Sequence, residues 1–166
     1  MTTRRTFTLA GLASLLGAAA AIPLARSAGK PGATFEVTKT DAEWRKILSP
    51  QAYHVLRQHG TEYAFSSPLD KVYAPGRYDC AGCALPLFSS ATKFDSGTGW
   101  PSFWKPLDNA IGTTEDTSFF MKRVEVHCRR CGGHLGHVFD DGPPPTRLRY
   151  CMNGVSLAFV PEPKPS

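Results

Sequence analysis

The sequence predicts a mainly β domain: an antiparallel β body behind two short N-terminal helices, pinned by a metal at its cysteines. Three observations carry that reading. Beyond Gly60 the apolar residues come in short runs, rich in β-branched and aromatic side chains, with Gly, Pro, Asn or Asp between them. Before Gly60, two segments carry helix-start signatures. Four of the five cysteines form two Cys-x-x-Cys units, Cys80 with Cys83 and Cys128 with Cys131, the ligand pattern of a four-thiolate zinc site. A chain of 166 residues, 42% of them hydrophobic, suits one domain with a real core.

The first 28 residues read as a targeting segment. Arg4 and Arg5 form a twin-arginine pair with Phe7 two places on, and an apolar run follows from Leu9 to Leu24. Pro23 interrupts the run, which falls short of the roughly 20 residues a spanning helix needs. Small residues near Ala28 offer a cleavage region. The expectation is twin-arginine export to the periplasm with a cleaved signal. Export of an already folded chain lets zinc load first, which reconciles metal-type cysteine spacing with an oxidising destination.

The segment also distorts the charge. The net charge is +5, but three basic residues and no acid lie in residues 1–28, leaving 16 Lys and Arg against 14 acids. That surplus is too small to indicate a nucleic-acid partner.

Residues 29–39 are Gly/Pro-tinged and read as a linker. Thr40 and Glu43 form a capping box ahead of Trp44, Ile47 and Leu48. Ser49 and Pro50 supply an N-cap and an N1 proline for a second helix carrying Tyr53, Val55 and Leu56 and stopping at Gly60. Strands are expected at 77–80, 86–88, 118–127, 134–139, 148–152 and 155–160, with a stiff turn at Pro143, Pro144 and Pro145. Residues 40–161 form the domain and 162–166 a tail.

Forty-four residues separate Cys83 from Cys128, so a shared ion would tie the two ends of the β body together. A disulfide inside Cys-x-x-Cys closes too small a loop to stabilise much. A Cys2His2 site from Cys128, Cys131, His134 and His137 leaves Cys80 and Cys83 without a role.

Cys151 is then the one cysteine left for chemistry. Arg149, two places away on an expected strand, lies on the same side, and it and Arg147 favour the reactive thiolate. Asn153 shares that face. His134 and His137 precede Cys151 across the proline turn, and His137, 14 residues upstream, can face it from a neighbouring strand as acid or base. Trp100, among glycines and beside Pro101, is the candidate pocket wall, and Trp104 a candidate core residue.

Four segments together resemble the B-type methionine-R-sulfoxide reductases: Cys80-Ala-Gly-Cys83, Lys93-Phe-Asp-Ser-Gly-Thr-Gly-Trp-Pro-Ser-Phe103, Cys131-Gly-Gly-His-Leu-Gly-His-Val-Phe139 and Arg149-Tyr-Cys-Met-Asn153. The resemblance spans roughly residues 41–161. It implies two antiparallel β-sheets with one structural zinc at Cys80, Cys83, Cys128 and Cys131. It implies Cys151 as nucleophile, His137 with His134 as the acid acting on the sulfoxide oxygen, and Asn153 as the orienting group. Trp100 would hold the substrate methyl, with Phe139 also on the substrate side; Arg149 is added on electrostatic grounds. The implied substrate is protein-bound methionine-R-sulfoxide and the product on the enzyme a sulfenic acid. Thr98 stands where many relatives carry a resolving cysteine, so recycling would fall to an external thiol reductant, thioredoxin-like or other. Arg147 stands where glycine is common. A monomer is expected. The competing classes are a zinc-ribbon-like module without catalysis, which ignores the surroundings of Cys151, and a Cys–His hydrolase, which leaves the tryptophan pocket unexplained.

Overall fold

A computed structural model describes residues 34–118 and 121–163. The export segment, residues 29–33 of the linker and residues 164–166 of the tail lie outside the described residues, as do Phe119 and Phe120. Among the described residues there are two α-helices and nine strands, and none of the helices is long and apolar enough to cross a membrane.

Helix α1 (Asp41–Ile47) opens with the expected capping box: the Thr40 hydroxyl accepts from the Glu43 N–H, and the Glu43 carboxylate accepts from the Thr40 N–H. Helix α2 (Pro50–Gln58) starts with Ser49 accepting from Ala52 N–H and Pro50 in its first turn. It ends one residue earlier than Gly60 suggested. His59 itself takes the left-handed cap, at φ 56°. Residues 34–39 have no helix or strand, yet they are fastened down: Val37 N–H donates to the Arg130 carbonyl, and Phe35 meets His127 edge-on.

The strands form two antiparallel sheets, as the resemblance implied. The smaller pairs β2 (Pro86–Ser89), β1 (Gly76–Cys80) and β9 (Leu157–Pro161), with β1 central. The larger runs β3 (Lys93–Phe94), β4 (Ser102–Phe103), β8 (Arg149–Met152), β7 (His134–Phe139), β6 (Arg123–Cys128) and β5 (Ile111–Asp116) in spatial order. Aromatic side chains join the sheets. Phe88 and Tyr78 of the smaller sheet stack on and edge against Phe103 of the larger, at 4.4 and 4.9 Å between ring centres. All three rings are fully buried, and such pairs add about 0.5–1.5 kcal/mol beyond the area they bury. Trp44, Val55 and Leu56 bring the helices into the same core.

Two expectations need correction. The run expected at 118–127 becomes a strand only from Arg123, and the strand before it, β5, was not foreseen. Ile-Gly-Thr-Thr-Glu-Asp carries a single large apolar residue because β5 is an edge strand facing solvent. Trp104 is only half-buried; its neighbour Phe103 fills the core instead.

Candidate active site and metal cluster

The first Cys-x-x-Cys turn follows β1, and the second joins β6 to β7. The turns therefore belong to different sheets, yet their sulfurs converge. Cys80 Sγ lies 3.7 Å from Cys131 Sγ and Cys83 Sγ 3.5 Å from Cys128 Sγ, and all four lie within 4.8 Å of one another. A tetrahedral four-thiolate ion with bonds of about 2.3 Å spaces its sulfurs by about 3.8 Å, so the cluster is compatible with zinc. Mutual hydrogen bonds push the Cys80 and Cys131 thiols up and pull Cys83 and Cys128 down. Four sulfurs converging this closely offer the donor set that a divalent cation takes. The Cys2His2 alternative fails, because His134 and His137 are held elsewhere.

The second site is a cleft of about 140 Å³ on the larger sheet, lined by Trp100, His137, Phe139, Cys151 and Asn153 together with Thr61, Arg123 and Gly136. Its floor is set by strand register. Cys151 on β8 pairs directly with His137 on β7 and, on its other side, with Ser102 on β4. Directly opposed residues place their side chains on the same face about 5 Å apart at Cβ, which puts sulfur and imidazole together. Gly136 permits the approach of β7 to β8: a Cβ there would lie 2.1 Å from the Cys151 carbonyl oxygen.

His134 and His137 are three residues apart, which in a regular strand points them to opposite faces. A bulge resolves this. His127 pairs with His134 and Val126 with Gly136, leaving Leu135 unopposed. The two imidazoles end 5.4 Å apart. Each is held by its own carboxylate, His137 Nε2 by Asp116 at 2.8 Å and His134 Nδ1 by Glu125 at 2.8 Å. Asp116 also accepts from Arg123 and from the Ser118 N–H; hydrogen bonds from Ser118 and His137 hold its carboxyl well below the usual carboxylate range. Burial lowers His137 from its ordinary value, outweighing Asp116.

Burial raises the Cys151 thiol, against the opposing pull of Thr98, Arg149 and Ser102. The flanking arginines therefore do less than the sequence suggested. Arg147 is exposed. Arg149 is engaged by Asp141 through two hydrogen bonds of 2.8 and 2.7 Å and stacks over Phe139 at 4.4 Å. The resting pair is thus a neutral thiol beside a neutral imidazole. Arg147 sits at φ 62°, in the left-handed region that favours glycine.

Trp100 forms one wall, its indole N–H donating to the Glu62 carbonyl at 3.2 Å. Asn153 is buried with both ends of its amide committed: Oδ1 accepts from Glu62 N–H at 2.9 Å and Nδ2 donates to the Leu135 carbonyl at 3.0 Å. It orients by holding the backbone around the cleft. Glu62 completes this frame, its carboxylate accepting from Gly154 and Val155 N–H, and burial lifts its pKa. Thr98 Oγ1 lies 3.9 Å from Cys151 Sγ.

Glu62, Asp116, Glu125 and Arg123 were missed by the sequence reading. Asp116 lies on the unforeseen β5, and Glu125 on β6 and Glu62 in the loop after α2 look like ordinary solvated charges without the fold.

Comparison with known proteins agrees with this geometry. The SelR domain family matches residues 48–161. A protein of Methanosarcina barkeri named peptide methionine sulfoxide reductase MsrB is 57% identical over 127 residues, covering 76% of this chain and 89% of that protein. MsrB proteins of Agrobacterium fabrum and Thiobacillus denitrificans are 53% and 56% identical, over 76% and 75% of this chain and 94% and 95% of their own lengths. With more than half its length matched and relatives above half identity, the chain belongs to the SelR domain family.

Proposed function

We propose that this chain is a peptide-methionine (R)-S-oxide reductase, acting mainly on protein-bound methionine-R-sulfoxide. The observation that carries this is Cys151 directly opposite His137 on the floor of a cleft walled by Trp100 and Phe139. Clefts that take drug-sized ligands measure about 300–1,000 Å³, so a cleft of about 140 Å³ suits a single side chain, such as an oxidised methionine presented by a polypeptide.

The chemistry follows from two neutral partners. His137, with Nε2 bonded to Asp116, has Nδ1 left to take the Cys151 proton. The thiolate attacks the sulfoxide sulfur, and His137 returns the proton to the oxygen, which otherwise could not leave. Oxygen passes to Cys151 as a sulfenic acid, and the methionine thioether departs, so one thiol is oxidised and one sulfoxide reduced. His134, its ring 5.4 Å from that of His137, shares in delivering the proton to the sulfoxide oxygen. Trp100 and Phe139 receive the substrate's apolar end. An external thiol, thioredoxin-like or other, then reduces the sulfenic acid. The protein acts as a monomer with one structural zinc on the four cysteines.

Single-turnover reduction of the two sulfoxide epimers tests the function: the R epimer is consumed with one Cys151 oxidised per methionine formed, and the S epimer is left. Equal consumption of both, or none, would remove the reading. Replacing His137 by Gln should slow the sulfoxide step by about 10²–10⁴-fold, the usual worth of general acid catalysis, with melting unchanged. An unaltered single-turnover rate would move the role to His134.

Residues 1–28 support twin-arginine export to the periplasm, with cleavage near Ala28, residues 29–39 as the linker and 40–161 as the reductase domain. Arg4→Lys with Arg5→Lys should hold the precursor in the cytoplasm, because the pathway reads that pair. Normal export of the double variant, followed by fractionation and immunoblotting, would contradict it.

A further inference from the structure

A second group of metal-type ligands lies outside the four-cysteine cluster. His59 caps α2, Glu125 lies on β6 and His134 on β7. His59 Nδ1 is 3.0 Å and His134 Nδ1 2.8 Å from the same oxygen, Glu125 Oε1, and the three ligand atoms all fall within 4.8 Å. We propose that His59, Glu125 and His134 form an inhibitory site for a divalent transition-metal cation such as zinc, separate from the four-cysteine site.

Two imidazoles and a carboxylate are a donor set that suits zinc and its neighbours, with further positions left for water. A tetrahedral ion with bonds of about 2.0–2.1 Å spaces its ligand atoms by about 3.3 Å. The two hydrogen-bonded separations of 2.8 and 3.0 Å need to open by only a few tenths of an ångström. The ion takes the place of the two Nδ1–H groups that now point at Glu125; each neutral imidazole keeps its proton, carried on Nε2 instead, so the site gains the ion's two positive charges. Access is open on one side: the His59 side chain is 66% exposed, while His134 is 3% exposed and supplies the buried anchor. Arg57, whose charge acts on His59, is tied to the Cys131 carbonyl and stacked on Trp44.

The position gives the site its effect. His134 lies 5.4 Å, ring to ring, from His137. A metal on its Nδ1 moves the remaining ring proton to Nε2 and sets a double positive charge beside His137. That charge disfavours the imidazolium which must form when His137 carries the proton between Cys151 and the sulfoxide oxygen. Filling the site therefore slows the reductase without touching Cys151.

The inhibition rests on the reductase reading; the metal count does not, so the two fail separately. The test starts from protein with its four-cysteine site filled and Cys151→Ser, so that the active-site thiol cannot hold the ion. Zinc titration by calorimetry, with cobalt absorption as a second readout, should find one further equivalent per chain. His59→Asn should abolish it; asparagine tolerates the left-handed cap, so α2 keeps its end. With Cys151 restored, zinc at that occupancy should slow single turnover by about 10²-fold, the low end of what losing an acid costs. His59→Asn should remove the slowing and leave the metal-free rate unchanged. Absence of the further equivalent, or its survival in His59→Asn, overturns the site. Slowing that persists in His59→Asn overturns its inhibitory role.

Discussion

Serine in place of any one of Cys80, Cys83, Cys128 or Cys131 is expected to release the metal and unfold much of the domain, with activity lost as a consequence. The size of the effect comes from what the cluster joins. Cys80 ends the central strand of the three-stranded sheet, and Cys128 ends β6 of the six-stranded one. An ion there would tie together two sheets that also meet through the core around Tyr78, Phe88 and Phe103. Structural zinc on small domains contributes on the order of 10–16 kcal/mol, against about 5–15 kcal/mol for the net stability of a whole domain. Losing one thiolate forfeits a large part of the first figure, enough to consume the second. It also leaves the other buried sulfurs, Cys80 and Cys128 among them, without a cation. The structure adds a local prediction: Arg130 donates to the Cys83 carbonyl and Val37 to the Arg130 carbonyl, so residues 34–39 should come loose with the metal. Metal content by elemental analysis, thermal unfolding and proteolysis at that segment provide the check. A metal-free variant that melts like the parent and reduces sulfoxide at the parent rate would show that the cluster is dispensable.

What could be read in the sequence was whatever is written in local chemistry. The capping box of Thr40 and Glu43, the Ser49-Pro50 start and the paired cysteines each depend on residues close together in the chain, and each stands in the structure as expected. His137 opposite Cys151 was also legible, because a proline turn between two β runs sets the pairing. The bulge at Leu135 was not. Nothing in His-Leu-Gly-His announces an unopposed residue, yet without it His134 and His137 would point apart. Asp116 stayed hidden for a different reason: edge strand β5 lacks the apolar alternation by which strands are recognised. The electrostatics of Cys151 were misjudged, since the sequence shows the charge of Arg149 but neither the burial of the thiol nor the bidentate claim of Asp141 on that arginine.

Cysteine at position 98 should convert the product of one turnover from a sulfenic acid into an internal disulfide. Five cysteines less the four that converge on one another leave Cys151 alone, so the parent enzyme, after reducing one sulfoxide, should be heavier by one oxygen and should react with a sulfenic-acid trap. Its turnover should then rise with the concentration of an added thiol. In Thr98→Cys a second thiol stands where Thr98 Oγ1 now lies, 3.9 Å from Cys151 Sγ. A disulfide needs about 2.05 Å, so the sulfurs must close by nearly 2 Å. The loop can supply this. Gly97 and Gly99 flank the position at φ 70° and 87°, and Gly97 has open space around it. The hydrogen bond that fastens Thr98 to Ser96 at 2.8 Å is weakened when sulfur replaces the hydroxyl. The new thiol attacks the Cys151 sulfenic sulfur, the S–S bond forms, and the oxygen leaves as water. The variant should therefore end two hydrogens lighter than it began and show no trap adduct. Recycling should pass from any thiol that can reach Cys151 to dithiol reductants that open disulfides. Mass spectrometry of the intact protein after one equivalent of sulfoxide decides the matter. A trap-reactive sulfenic acid persisting in Thr98→Cys would mean the loop cannot close. A disulfide between Cys151 and a metal-cluster cysteine in the parent would overturn both the cysteine count and the need for an outside thiol.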